Sequence, residues 1–165
     1  MFLNFRELNT LSTFSLEVLT QDETKEVSGN HFFFTPFSGS DEHWGGDGSG
    51  KNAGGFDCSG LVVECLQAVG VLANGSDYSA KTLYKHLLAQ GWVKVPRGFE
   101  TASDLCFWGK AEASITHVSI AIGSRQHIEA GGGGSGSKTA ATSNGMVRVR
   151  PLSSRGDLLA TLRMP

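Results

Sequence analysis

The sequence predicts an α+β fold in which helices come first and an antiparallel sheet follows. Between residues 58 and 90, apolar side chains recur every three or four positions, as on the buried face of a helix. Beyond residue 104 the apolar period drops to about two, which is typical of half-buried strands. Both patterns fall within 165 residues, the length of one ordinary domain. We therefore expect N-terminal helices packed on a central antiparallel sheet.

Residues 1–34 are a weakly defined N-terminal segment. Leu8, Leu11, Leu16 and Leu19 have spacings that suit a short amphipathic helix, so a helix is predicted there. No basic stretch precedes an apolar one, and no run approaches the roughly 20 apolar residues that a membrane span needs. We expect synthesis in the cytoplasm without a signal peptide, and no membrane partner.

Two helices are predicted next. The first runs from Cys58 to Gly70, with Asp57 and Ser59 as candidate capping residues at its start. The second spans 79–90, and Gly91 closes it. Their inward positions are Leu61, Val62, Cys65, Leu66 and Val69 in the first, and Leu83, Leu87 and Leu88 in the second.

Five strands are predicted in the remainder of the chain. They are Leu105–Trp108, Thr116–Gly123, Gln126–Ala130, Met146–Arg150 and Leu158–Leu162. The glycine-rich run 131–137 has the composition of a linker, but strand patterns resume within the length of one domain. We interpret it as a loop between strands, and residues 35–165 as one domain.

Composition excludes several classes of function. The net charge is −2 and the pI about 6.2, so neither nucleic acid nor an anionic membrane is an expected partner. The cysteines are Cys58, Cys65 and Cys106, an odd number that argues against a disulfide framework. No C-x-x-C pair occurs, so neither a structural zinc site nor any other metal or cofactor is predicted.

Cys58 is the candidate nucleophile. It lies in the run Phe56-Asp57-Cys58-Ser59-Gly60, at the predicted start of a helix. Unpaired N–H groups at a helix start favour a negative charge, and a thiol attacks only as the thiolate. The same N–H groups can hold the oxyanion that forms during acyl transfer.

His117 is the candidate general base, because it is a polar residue at the start of a strongly apolar strand. A third group is expected to orient its ring. His127 and Glu129 lie on one face of the next predicted strand, since side chains alternate. If the two strands form a hairpin, either residue could reach His117, and the residues alone leave that choice open.

At these motifs the sequence resembles the NlpC/P60 family of cysteine peptidases. The matching segments appear in the family's order and cover roughly residues 35–165. They are Trp44-Gly45-Gly46, Gly55 to Val62 (GFDCSGLV), Ser79 to Tyr84 (SAKTLY), Asp104 to Trp108 (DLCFW) and Thr116-His117-Val118.

The resemblance implies a papain-like fold with a Cys–His–polar triad. It implies hydrolysis of bacterial peptidoglycan peptides, typically between D-γ-glutamyl and a diamino acid. The third triad position is commonly His in the family, and here it is Glu129. A phage-type subset of relatives is similar, with Glu in I-E-A-G-G-G and a closing segment like Val149-Arg150-Pro151. Glu129 is therefore favoured as the third member, with His127 as the fallback.

The resemblance also suggests substrate-binding residues. Many relatives carry a Tyr two residues before Trp44, near the substrate, whereas this sequence has Glu42 there, and Phe37 could be the displaced equivalent. Asp57 and Ser59 would help bind the free amine of the stem peptide. Alternatively, both only cap the helix.

Two other functions stay open at this point. The same scaffold could carry a cell-wall amidase or acyltransferase, or it could be a catalytically silent virion or wall-binding module. A small member without an export signal fits delivery to the wall by a phage tail, by lysis or by a secretion apparatus.

Overall fold

The computed structural model describes residues 2–7, 14–19, 56–131 and 146–165. Within these ranges the chain forms two helices, α1 (Cys58–Ala68) and α2 (Ala80–Ala89). The strands are β1 (Phe2–Glu7), β2 (Phe14–Leu19), β3 (Val93–Val95), β4 (Leu105–Gly109), β5 (Ile115–Gly123), β6 (Gln126–Gly131), β7 (Met146–Pro151) and β8 (Leu158–Arg163). Single 3₁₀ turns lie at Glu112–Ser114 and Leu152–Ser154.

The N-terminal helix prediction is wrong where the structure describes that segment. β1 and β2 pair antiparallel, with Phe2 opposite Leu19 and Glu7 opposite Phe14. The run FSLEV at 14–18 alternates apolar and polar residues, which suits a strand better than a helix. The leucines alone suit a helical period, whereas Phe14 together with Leu16 and Val18 follows the period of a strand. Leu8 and Leu11 lie outside the described residues.

Helix α1 begins where an acidic side chain caps it. Asp57 Oδ1 accepts a hydrogen bond from Gly60 N at 2.7 Å, which satisfies one of the unpaired N–H groups of the first turn. The helix ends at the C-cap Val69, and Gly70 follows with φ +74°. Only glycine adopts that conformation without strain, so the chain turns away at this point. The predicted helix is confirmed.

Helix α2 is also confirmed. Ser79 caps it through a 3.3 Å hydrogen bond from Thr82 N, and Gly91 follows its end with φ +89°. Leu83 and Leu87 are fully buried, whereas Leu88, which was predicted to face inward, is only half-buried.

The six-stranded sheet has the order β3-β8-β4-β5-β6-β7, and every neighbouring pair is antiparallel. The five predicted strands are all present, within two residues of their predicted ends. Strand β3 was not predicted, because three residues are too few to show a period. The α+β class, with helices packed on an antiparallel sheet, is confirmed.

Strands β5 and β6 form the predicted hairpin. Ile120 faces Ile128 and Ala121 faces His127 across it. At its tip, Ser124 and Arg125 have φ values of +49° and +58°. Two consecutive residues with positive φ match the right-handed twist of a tight hairpin. The hairpin brings residues 117 and 129 to the same end of the sheet.

The helices cover one face of the sheet. Their buried side chains pack against strand residues that include Leu105, Phe107, Val118 and Ile120. The alternate strand residues form a smaller cluster of Cys106, Trp108 and Ala121, which Leu152 completes. Because side chains alternate along a strand, this second cluster lies on the other face.

The packing of α2 predicts a stability difference between two substitutions on that helix. Leu87→Ala removes a side chain that is 0% exposed, and we expect it to lower the free energy of unfolding by about 2–5 kcal/mol. Lys85→Ala, on the exposed side, should change it by less than about 0.5 kcal/mol. Urea denaturation of both variants provides the measurement, and equal losses would contradict this packing.

Candidate active site

Cys58 is the first residue of α1 and is partly exposed. Its Sγ lies 4.0 Å from the carbonyl oxygen of Thr116, at the start of β5. Asp57 accepts from the N–H groups of Gly60 and Leu61 through its side chain and its carbonyl. The N–H groups of Cys58 and Ser59 belong to the same first turn, whose N–H groups have no partner within the helix.

His117 and Glu129 form a buried pair beside this thiol. His117 Nε2 lies 2.8 Å from Glu129 Oε2, and the side chains are 8% and 2% exposed. The thiol of Cys58 also interacts with the imidazole and helps to raise its pKa. Because Glu129 occupies Nε2, Nδ1 is the ring nitrogen that is left for the thiol. The imidazole thus stands between a thiol and a carboxylate.

A β-bulge sets the position of His117. Trp108 of β4 faces His117, but the next pair is Gly109 with Ile115, so Thr116 is the extra residue. Bulges re-aim neighbouring side chains and are common beside active sites. Gly109 makes the bulge possible, because a Cβ there would lie 2.5 Å from the Ser114 carbonyl oxygen.

Gly131 leaves room for the Glu129 carboxyl group. A Cβ at residue 131 would lie 3.0 Å from Glu129 Cδ and 3.1 Å from its Oε1. A side chain there would push the carboxylate away from its present position. The sequence shows that this segment is rich in glycine. Composition alone does not show that Gly131 is the glycine beside the Glu129 carboxyl group.

Each member of the pair shifts the pKa of the other. Burial alone would lower the pKa of His117, but hydrogen bonds to Cys58 and Glu129 outweigh it and raise that pKa from 6.5 to about 9. Burial raises the pKa of Glu129, but the hydrogen bond and charge of His117 outweigh it and lower that pKa to about 2. The pair is therefore an imidazolium–carboxylate ion pair at neutral pH.

His127, the fallback third member, is not bonded to His117. It is 0% exposed, its Nε2 lies 3.5 Å from Ser154 Oγ, and its ring packs on Trp108 with centroids 5.2 Å apart. Burial lowers the pKa of His127 to about 4, so the ring is neutral. Its place in the fold is that of a buried aromatic side chain beside the site.

Asp57 and Ser59 make the capping contacts that their positions predicted. Ser59 Oγ donates to Asp57 Oδ1 at 3.0 Å, and the same oxygen accepts from Gly60 N. Their role toward a substrate amine stays a prediction. The other predicted substrate residues, Trp44 and Glu42, and the alternative Phe37 lie outside the described residues.

Two arginines of β7 complete the surroundings of Glu129. Arg150 Nη1 lies 3.3 Å from Glu129 Oε1, and Arg148 Nε lies 3.6 Å from the same oxygen. The sequence predicts β7 as a half-buried strand but indicates no role for these two arginines. The available signal was their spacing of two, which puts both guanidinium groups on one face of the strand.

Neither a metal site nor a membrane span occurs in the described part of the chain. No group of three or more His, Cys, Asp or Glu side chains lies close enough there to hold a metal ion. No helix of the described ranges is long and apolar enough to cross a bilayer.

A thiol at a helix start, with a strand histidine held by a carboxylate, is the layout of a Cys–His hydrolase site. Residues 39–156, more than two thirds of the chain, match the NlpC/P60 family. The chain therefore belongs to the NlpC/P60 family.

Individual relatives agree with this assignment. The chain is 34% identical over 111 residues to the peptidoglycan endopeptidase RipB of Mycobacterium tuberculosis, a match that covers 66% of this chain and 36% of RipB. The chain thus spans about a third of the length of this curated relative.

Solved structures give the same result. The crystal structure of the NlpC/p60 domain of the peptidoglycan hydrolase SagA has a TM-score of 0.51 at 25% identity and covers 76% of this chain and 88% of that one. The RipB structure has a TM-score of 0.52 at 30% identity and covers 76% and 57%, respectively.

The exposure of the three thiols predicts selective labelling. Cys65 and Cys106 are 2% and 0% exposed, and burial raises the pKa of each to about 12. We expect iodoacetamide at pH 7 to modify Cys58 at least about 100-fold faster than either, because only thiolates react and only Cys58 is accessible. Peptide mass spectrometry over time measures the three rates, and similar rates would contradict this site and favour a silent module.

The ion pair predicts how stability depends on pH. The folded pKa of His117 lies above its ordinary value, so its stabilising contribution is full below about pH 6.5 and is lost as the pH rises through about 9. The folded pKa of Glu129 lies below its ordinary value, so its contribution is full above about pH 4.5 and is lost as the pH falls through about 2. We expect the free energy of unfolding to decline between pH 6.5 and 9.

Glu129→Gln should flatten that decline, because the amide keeps the shape of the side chain but removes the charge that holds the imidazolium. Urea unfolding at half-unit pH steps compares the two proteins. An equally steep decline in Glu129→Gln would show that the carboxylate does not set the pKa of His117.

Proposed function

We propose that this protein is a cysteine endopeptidase that hydrolyses stem peptides of bacterial peptidoglycan through a Cys58 thioester. The observation that carries the proposal is the position of His117, which hydrogen-bonds the Glu129 carboxylate at 2.8 Å and whose pKa is raised by the Cys58 thiol as well as by Glu129. A buried imidazole between a thiol and a carboxylate can accept, hold and return a proton, as acyl transfer requires.

The first half of the reaction forms the thioester. With the proton of Cys58 already held on the His117 imidazolium, the thiolate attacks the scissile carbonyl carbon. The N–H groups of Cys58 and Ser59 at the start of α1 hold the oxyanion. The imidazolium then gives its proton to the departing amine as the carbon–nitrogen bond breaks, which leaves an acyl group on Sγ.

The second half regenerates the enzyme. Neutral His117 takes a proton from water, the water oxygen attacks the thioester carbon, and the thiolate leaves. Glu129 keeps its negative charge in both halves, so it stabilises the imidazolium whenever that forms. Because Glu129 also fixes the ring orientation through Nε2, it acts on catalysis through His117.

The substrate class is supported by the relatives. RipB is named a peptidoglycan endopeptidase and SagA a peptidoglycan hydrolase. Within the stem peptide we propose the bond between D-γ-glutamyl and the diamino acid. Asp57, half-buried directly before the nucleophile, is the candidate carboxylate for a substrate ammonium group.

Substitution of the nucleophile tests the proposal. We expect Cys58→Ala to abolish cleavage of purified muropeptides, by at least about 10³-fold in kcat/KM, because no other group can form the thioester. Mass spectrometry of the digests measures the products. Cys65→Ala, a thiol removal in the core, is the matched control and should keep activity near that of the wild type. Cleavage by Cys58→Ala at the wild-type rate would refute the assignment.

The same digests identify the bond. An endopeptidase releases fragments cut within the peptide, whereas an amidase separates the whole peptide from the lactoyl group of the sugar. Release of the intact stem peptide would keep Cys58 as nucleophile but replace the endopeptidase with an amidase on the same scaffold.

A further inference from the structure

We propose that Arg150, together with Arg148, is a positioning residue that keeps Glu129 charged and in place while His117 gains and loses its proton. This inference rests on the proposed function for its place in a catalytic cycle. The contacts that support it are independent of any substrate.

The buried carboxylate needs more partners than His117 provides. Glu129 is 2% exposed, and a carboxylate out of water is costly unless each oxygen is paired. Oε2 is taken by His117 at 2.8 Å, and Oε1 faces only the two guanidinium groups at 3.3 and 3.6 Å among the described residues. Without them, Oε1 would be left without a charged partner.

Strand pairing fixes this arrangement. Arg148 lies directly opposite Glu129 in the β6–β7 register, and Arg150 lies opposite His127, so both side chains share the face of the carboxylate. Their side chains are only about a third exposed, at 32% and 35%. The ion pairs are therefore shielded from water, where such contacts have a larger effect than on an open surface.

The catalytic cycle explains why a constant positive charge is useful here. When His117 is an imidazolium, it alone could balance Glu129. When His117 is neutral, a buried carboxylate beside it would tend to take up a proton. A guanidinium group is a permanent cation in proteins, so a pair of them beside Glu129 favours its charged form in both states of the histidine.

Other charged groups around the site do not supply this balance. Cys58 of α1 interacts with the imidazole, and a cysteine side chain supplies no positive charge. His127 is neutral. Arg155, before β8, interacts with Glu129 and Cys58, but two hydrogen bonds of 3.0 and 2.8 Å tie it to Asp157, whose charge offsets its own.

The sign of the expected effect follows from charge alone. Removing a positive charge raises the pKa of every acid nearby, so Arg150→Gln should move both limbs of the pH–rate profile to higher pH. We expect a displacement of about half a unit, which corresponds to about a threefold loss of rate on the acid limb. Arg150→Lys keeps the charge and should restore both limbs.

A second arginine provides the matched control. Arg163 Nη2 lies 2.7 Å from Asp104 Oδ2 in another part of the fold. Asp104, like Glu129, is a buried carboxylate, with 1% of its side chain exposed. Arg163→Gln should lower stability, as any loss of a buried carboxylate's partner does, without moving the limbs. A purely structural role for Arg150 predicts the same behaviour for both variants.

Two readouts keep the inference separate from the proposed function. The first is kcat/KM on muropeptides between pH 4 and 10, and the second is the rate of Cys58 alkylation by iodoacetamide over the same range. If wild-type protein cleaves no muropeptide, the proposed function fails and the alkylation profile still tests the arginines. Circular dichroism verifies folding, and if Arg150→Gln does not fold, Arg148→Gln takes its place.

Upward displacement of both limbs in Arg150→Gln, with restoration by Arg150→Lys and no displacement in Arg163→Gln, is the expected result. Limbs that coincide with those of the wild type would overturn the inference, and so would an equal displacement in Arg163→Gln.

Discussion

The hydrogen bond between His117 and Glu129 is the contact on which the arrangement of the site depends. It joins two neighbouring strands, with 2.8 Å between His117 Nε2 and Glu129 Oε2. Both side chains are buried, so the bond is shielded from water. By occupying Nε2, it determines which ring nitrogen faces Cys58. Three features help to position these two side chains. They are the bulge at Thr116, the space beside Gly131 and the ion pairs from β7.

The electrostatics of the site explain why a carboxylate needs such surroundings. A full negative charge beside the imidazole favours the imidazolium strongly, and a neutral partner would do so less. An imidazolium that holds its proton too tightly is a poor donor to a leaving amine. In the proposed mechanism, the guanidinium groups offset part of the negative charge of Glu129. The imidazolium can then still give up its proton, although the third member of the triad is charged.

Much of the fold could be predicted because its signals are local. The helical period over 58–70, the alternation in 116–123 and the capping residue Asp57 each correspond to an element that formed as expected. Strand β3 has three residues and pairs with the distant β8, so short-range periodicity does not reveal it. Strands β1 and β2 pair locally, but the leucine spacing of that segment also suits a helical period, which leads to the wrong assignment.

The candidate site also contains residues that the sequence indicates and contacts that it does not. Cys58 and His117 could be singled out from their motifs, and residue spacing narrowed the third member to His127 or Glu129. The contacts of Glu129 with Arg148 and Arg150 require the register of β6 and β7, which are separated by fourteen residues in the chain. No pattern within either strand specifies that register. Only the folded sheet brings these side chains together.

The hairpin of β5 and β6 has a consequence for how the site assembles. His117 and Glu129 are twelve positions apart and lie on adjacent strands, so a single local turn can bring them together early in folding. Cys58 is 59 positions before His117 and arrives only when α1 docks on the sheet. A partly folded chain can therefore hold the proton-handling pair but not the complete constellation. In the proposed mechanism, catalytic activity therefore requires that α1 has docked on the sheet.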